Sequence, residues 1–261
     1  VVHINIKHIN IKHINISTYQ HKTFQHHIMK IALIGYGKMG HAIEELAGTR
    51  GHEVVCTIDN ADELAAKASL LKTANVAIEF TMPSVAAGNI RYCIENDIAI
   101  VCGTTGWYDN YYELASLCHE RNGAMLTATN FSIGMNIMFA LNERLAQLMS
   151  GRDEYQVDIT EIHHIHKLDA PSGTAITLTE QILANGERKT ENGERIIDIP
   201  ITSIREGEVP GTHTVRYQSE IDTITITHEA HSRKGLALGA LMAAEFLCGK
   251  KGIYTMKDVV S

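Results

Sequence analysis

The chain is poor in residues that staple or stiffen a fold. It has four prolines, five cysteines and one tryptophan in 261 residues, and aromatics make up only 6%. Cys56, Cys93, Cys102, Cys118 and Cys248 are odd in number and lie singly, without the close pairs of a zinc site or the spacing of a disulfide framework. Free thiols in a reducing cytoplasm and no structural metal are therefore expected. Long apolar runs are missing as well. None reaches the roughly 18 residues of a membrane-spanning helix, and the N-terminal stretch lacks the apolar centre of a signal peptide. Nor is there a basic excess. The formal net charge is −7, and Lys7, Lys12 and Lys22 have no acid beside them within residues 1–28, so the remainder is more acidic still. That balance argues against nucleic acid or an anionic membrane surface as a partner, and any anionic ligand must be met by a local basic pocket.

What is present is a 44% hydrophobic content, enough to bury the core of one large or two modest domains. Residues 1–28 stand apart. His-Ile-Asn-Ile recurs at 3–6, 8–11 and 13–16, and six of the fifteen histidines precede Met29. The histidines fit a metal-binding tail and the alternation an edge strand. Met29-Lys-Ile-Ala-Leu-Ile-Gly35, however, reads as the opening of a nucleotide-binding domain, so 1–28 is taken as a disordered or accessory extension, or an overlong start.

From Ile31 to Asn130, short β-rich runs alternate with amphipathic stretches. Strands are expected at 31–34, 53–58, 76–80, 98–102 and 124–128, with helices around 40–50, 62–71, 84–95 and 109–121. This order predicts an α/β fold with a doubly wound parallel sheet, whose ligands lie at the carboxyl ends of the strands. After Asn130 come a Met-rich helix over 133–149, a strand over 156–162 and a helix over 173–184. Period-two alternation through 195–231 suggests antiparallel strands. A helix over 236–247 packs back on the first domain. The expected division is 29–130 plus 232–261 for dinucleotide binding, and 131–231 as an α+β substrate domain.

Gly35-Tyr36-Gly37-Lys38-Met39-Gly40 follows a strand and opens a helix, the context of a Rossmann-type dinucleotide fingerprint. Asp59, at the end of the second strand, can accept from the adenosine ribose hydroxyls. It favours NADH over NADPH, although Lys38 could receive a 2′-phosphate. Phe80 and Thr81, then Gly103, Thr104 and Thr105, then Ala128, Thr129, Asn130 and Phe131, fall where later strands end and could face the nicotinamide half.

Glu161-Ile-His-His-Ile-His-Lys-Leu-Asp-Ala-Pro-Ser-Gly-Thr174 gathers three imidazoles and an ammonium just before a helix start. Such a cluster suits an anionic substrate that must be protonated. On a strand, His163 shares a face with Glu161, and His164 points to the other side, so one can donate a proton while the other holds substrate. Lys167 is a charge clamp or a second proton source. Ser172, Gly173 and Thr174 offer amides and hydroxyls to a carboxylate, while Asp169 or Ser172 serves equally as a plain N-cap.

The last motif, with Gly103-Thr-Thr-Gly106, Asn130-Phe-Ser132, Gly211-x-His213 and His228-x-Ala-x-Ser-Arg233, resembles the dihydrodipicolinate (4-hydroxy-tetrahydrodipicolinate) reductase family over about Met29 to Ser261. The resemblance implies hydride transfer from NADH or NADPH to a cyclic dicarboxylate imine in lysine and diaminopimelate synthesis. It also implies His163 with Lys167 as the proton donor, and His164, Gly173 and Thr174 as substrate contacts. The positions 35–40, Asp59, 103–105 and 128–131 would form the cofactor site of a homotetramer built through the second domain. Many relatives carry an aromatic residue where this chain has Leu236. Two other readings compete. An acylating semialdehyde dehydrogenase needs a nucleophilic cysteine in its second domain, but the only cysteine beyond residue 118 is Cys248. A nucleotide sensor without turnover would have no use for His163, His164 and Lys167.

Overall fold

The computed structural model describes residues 28–186, 198–232 and 234–261. The reading of 1–28 as an extension lies, except for Ile28, outside the described residues. Alternating runs after Met29 fold as β1 (Lys30–Ile34), α1 (Lys38–Thr49), β2 (Glu53–Ile58), α2 (Ala61–Ala66), α3 (Ala68–Leu71), β3 (Val76–Glu79) and α4 (Pro83–Glu95). They continue with β4 (Ala99–Cys102), a 3-10 turn over Tyr108–Asn110, α5 (Tyr111–Glu120) and β5 (Ala124–Thr127). The single helix expected over 62–71 is broken at Lys67. The Lys67 backbone leaves the helical region there, and its ammonium turns back to the Thr57 carbonyl at 2.6 Å and to Glu63 at 2.8 Å.

The rest of the chain forms α6 (Ile133–Leu148), β6 (Gln156–His163), α7 (Gly173–Asn185), β7 (Ile201–Arg205), β8 (Thr212–Gln218), β9 (Thr223–Glu229), α8 (Lys234–Leu247), β10 (Gly252–Tyr254) and α9 (Met256–Val260). The first sheet has the order β2-β1-β3-β4-β5-β10, with every pair parallel. A parallel sheet must be covered on both faces, which is why its strands read as continuous apolar runs. One face is buried under α1 and α8, through Ile43, Ala47, Ala240 and Leu241. The other lies under α4 and α5, through Ala86, Ile90, Leu114 and Cys118. Glu245 of α8 ties that helix to the end of α1 by meeting Arg50 at 2.6 Å and His52 at 2.9 Å.

The second sheet has the order β7-β6-β8-β9. Alternation along β6 buries Val157, Ile159, Glu161 and His163 on one face. The apolar members pack with Val215 and Tyr217 of β8 against Met135 and Met138 of α6 and Leu178 and Ile182 of α7. The antiparallel pattern expected over 195–231 holds for β8 and β9, but β7 pairs parallel with β6. The reason is topological: β6, α7 and β7 form a strand-helix-strand crossover, which returns the chain in the same direction. The part of that expectation at 195–197 lies outside the described residues. β10 and α9 were not anticipated. β10, only three residues long, carries too little pattern to register, yet it extends the first sheet beside β5. Among the described residues no helix is long and apolar enough to cross a membrane.

Leu241 is fully buried between the sheet and α1. Leu241→Ala should cost about 2–5 kcal/mol through the cavity it leaves, read as a fall in denaturation midpoint with an unchanged slope.

Candidate active site

The topological switch point of the first sheet lies between β1 and β3, from which the chain proceeds outward to β2 on one side and to β4 on the other. At this point Gly35 has a φ of +91°, and an added Cβ would lie 2.0 Å from the Phe80 carbonyl oxygen, so only glycine permits the turn. The Tyr36 N–H donates to Asp59 Oδ1 at 2.7 Å, so the acid at the end of β2 braces the glycine turn with one oxygen. At the start of α1, Gly37 makes no side-chain cap, the first turn holds no acid, and nothing lies within 4 Å of where a Gly37 Cβ would sit. Open backbone amides beneath clear space are what a diphosphate requires, so a dinucleotide fits this cradle. Lys38 is exposed beside it, Met39 is half-buried and Gly40 is buried.

The ends of β3 and β4 are tied together. Glu79 is fully buried, takes a very short hydrogen bond from the Thr81 hydroxyl and receives the Cys102 thiol at 2.9 Å. The Thr81 N–H donates to Thr104 Oγ1 at 2.7 Å. Burial, reinforced by the Glu79 carboxylate, pushes the Cys102 thiol well above the usual thiol range, so it stays protonated. Phe80 packs against Phe131 with ring centroids 5.7 Å apart, while Gly103 is half-buried and Thr105 exposed. Ala128, Thr129 and Asn130 line a crevice of about 320 Å³ with Asn136, Gln181 and Lys257, and Asn130 also borders the smaller cleft at the second sheet.

The second sheet supplies the titratable groups. Glu161 is fully buried, and both its oxygens accept the Ser172 N–H at 3.1 Å. Arg205 approaches the same carboxylate at 3.3 Å. His163 Nδ1 lies 3.6 Å from Glu161 and His213 Nε2 lies 3.8 Å away, electrostatic contacts too long for hydrogen bonds. The two imidazoles meet edge to face at 4.9 Å, and Ser172 Oγ is 3.2 Å from His213 Nε2. Gly211, with a φ of +152°, lets the chain pass His163, since an added Cβ would lie 3.2 Å from its Nε2.

Burial opposes the charge on Glu161, yet hydrogen bonds from Ser172 and Ser203 hold its carboxyl below the usual range. Burial lowers His163, the Glu161 charge works against that, and Lys167 and Arg205 add to it. His213 is depressed further, to about 4, chiefly by burial and then by His163.

A cleft of about 110 Å³ brings Asn130 and Ser132, from the end of the first sheet, together with His163, Thr174, His213 and His228. Of the residues expected to act, Asn130, His163 and Thr174 therefore share one cavity. Ser172 is buried beneath it as the N-cap of α7, accepting from the Ala175 N–H at 3.2 Å, while Gly173 is exposed. His164 is half-buried beyond the strand end, and His166 faces Glu208 at 3.7 Å. Lys167 does not line the cleft; its ammonium sits on Asp169 at 2.7 Å. Leu236 forms part of the wall. Arg233 lies outside the described residues.

Models of the dihydrodipicolinate reductase N-terminus and C-terminus match residues 29–131 and 134–260. The chain belongs to the dihydrodipicolinate reductase family. These are NAD(P)H-using oxidoreductases of lysine and diaminopimelate biosynthesis. The chain is 49% identical to 4-hydroxy-tetrahydrodipicolinate reductase of Christiangramia forsetii over 238 residues, covering 89% of this chain and 98% of that one. It is 35% identical to the enzyme of the same name from Thermosipho africanus, with the same coverage. A dipicolinate-bound dihydrodipicolinate reductase from Paenisporosarcina shares the fold at a TM-score of 0.71 and 23% identity, over 88% of this chain and 98% of that one. An amine dehydrogenase from Mycobacterium smegmatis shares it at 0.61 and 11%, over 89% and 96%.

Glu161, His213 and His228 lie within the sequence motifs but carry no role there, and Arg205 lies in none of them. Nothing in the local sequence marks that arginine. The parallel register, which sets Arg205 opposite His163, is what brings it to the site.

His213 should make the fold acid-sensitive. Its folded value, about 4, lies below the roughly 6.5 of an unfolded chain, so the folded state binds fewer protons between those limits. Stability is then complete above about pH 6.5 and falls toward pH 4, by up to about 1.4 kcal/mol per unit. Denaturant midpoints at pH 7 and pH 5 should differ less in His213→Gln than in the parent.

Proposed function

We propose that this protein reduces the cyclic dicarboxylate 4-hydroxy-tetrahydrodipicolinate to tetrahydrodipicolinate. The observation that carries this reading is the shared cleft, where a buried histidine from the second sheet faces the asparagine at the end of the first sheet. The 4-hydroxyl leaves as water with a hydrogen from the adjacent ring carbon, and the reduced nicotinamide, when bound, would supply a hydride to the resulting conjugated imine. The chain's own residues do the rest. Gly35, Tyr36, Gly37, Lys38, Met39 and Gly40 form the diphosphate cradle. Phe80, Thr81, Gly103, Thr104, Thr105, Ala128, Thr129, Asn130 and Phe131 form the wall toward the reacting ring.

His163 gives its proton to the reduced substrate. Its low proton affinity when alone rises again beside a bound carboxylate, so an anionic substrate creates its own donor. Lys167 serves as clamp or second proton source once it leaves Asp169. His164, Gly173 and Thr174 receive the carboxylates, since the α7 start offers N-terminal amides, while Ser172, with its N–H on Glu161 and its hydroxyl capping Ala175, supports that helix start from beneath instead of meeting the substrate as its sequence position suggested.

NADH is the favoured cofactor. Asp59 keeps one oxygen for ribose hydroxyls, and Asn60 is occupied in capping α2 through the Glu63 N–H at 2.9 Å. The division into 29–130 plus 232–261 and 131–231 is supported by the separate apolar clusters and by β10 joining the first sheet. A homotetramer through the second sheet is supported by its uncovered face, where Thr202, Ile204, Thr225 and Thr227 are exposed. The free cysteines suit a cytoplasmic setting.

The test is loss of reduced-nicotinamide absorbance with substrate generated in place from pyruvate and aspartate semialdehyde. Substrate-dependent oxidation is expected, and cofactor binding without oxidation would overturn the reading. His163→Ala should leave cofactor affinity nearly intact and lower turnover by about 10²–10⁴. Asp59→Asn should move the NADPH:NADH ratio of kcat/KM upward by about tenfold, equivalent to about 1.4 kcal/mol.

A further inference from the structure

The loop bearing His164 and Lys167 leaves the sheet at His163 and rejoins regular structure at Ser172, and side chains of β6 and β7 grip it from beneath. Glu161 holds its far end through the Ser172 N–H. Arg205 grips the middle, donating to the Asp169 carbonyl at 2.6 Å and to the Lys167 carbonyl at 3.3 Å, while it also meets Glu161 at 3.3 Å and the carbonyl of its neighbour Ile204 at 2.9 Å. One planar guanidinium thus fixes the backbone on both sides of the exposed Leu168 and anchors itself on a buried carboxylate. A lysine offers a single ammonium and cannot hold three acceptors in that fork geometry. The Arg205 side chain is itself mostly covered.

We propose that Arg205 is a positioning residue that presets the 164–172 loop for an anionic substrate, acting through Glu161 and the Lys167 and Asp169 carbonyls without touching the reacting atoms. The catalytic part rests on the reductase reading above, while the loop part does not. Ordering a loop before the ligand arrives lowers the cost of binding, so loss of the clamp should weaken substrate capture more than cofactor capture.

Arg205→Ala and Arg205→Lys in the full chain provide the test, with two readouts. In steady-state kinetics, R205A should raise the substrate KM by about tenfold, or about 1.4 kcal/mol, and leave the cofactor KM within about twofold. R205K should recover only part, and added methylguanidine should partly restore R205A. In hydrogen exchange without substrate, amides of 165–170 should exchange about tenfold faster in R205A while β1 and β3 stay protected. Unchanged exchange in 165–170 together with an unchanged substrate KM would overturn the proposal. Should R205A lose protection throughout β1 and β3, the same readouts on R205K decide. Faster loop exchange in R205A with a parent protein that does not oxidise nicotinamide would sink the reductase reading and keep the clamp.

Discussion

The second half of the structure depends on one buried charge, the Glu161 carboxylate. Taking a carboxylate out of water costs several kcal/mol unless its lone pairs find donors. Here the Ser172 N–H, Ser203 and Arg205 supply them. Two of those donors belong to the second sheet and one to the start of α7, so pairing the charge and closing the loop between β6 and α7 are the same event. A loop that peeled away would leave the carboxylate underpaired in an apolar layer, which sets an energetic threshold against disorder around His164 and Lys167.

The same carboxylate shapes the chemistry. His163 sits beside it on the buried face of β6, with His213 across the neighbouring strand, in a position where burial disfavours the imidazolium and Glu161 favours it. These opposing influences leave the proton affinity of His163 open to whatever enters the cleft. The first sheet contributes a different kind of order. Its strand ends are tied by Asp59 to Tyr36 and by Thr104 to Thr81, which leaves the start of α1 open to an anion. Two preorganised halves therefore meet around Asn130 and Ser132.

The glycine turn, Asp59 and the alternating elements of the first sheet were legible because each rests on local physics: a period, a turn residue, an acid at a fixed interval. The shared strand face of Glu161 and His163 was legible for the same reason, though its burial was not. Arg205 was not, because its meaning depends on β7 running parallel to β6, a fact set by the α7 crossover and not by alternation within β7. His213 was visible only as part of a motif; its contact with Ser172 and its place beside His163 come from strand pairing. The break at Lys67 arose from a side chain reaching back to β2, a contact outside any helical period.

The central claim, that this cleft passes a hydride to the ring of a cyclic dicarboxylate, is tested most directly by following the hydride itself. Turnover with nicotinamide cofactor deuterated at the transferring position should yield tetrahydrodipicolinate carrying one deuterium on a ring carbon. Product of unlabelled mass, or oxidised cofactor with no labelled product, would contradict the account.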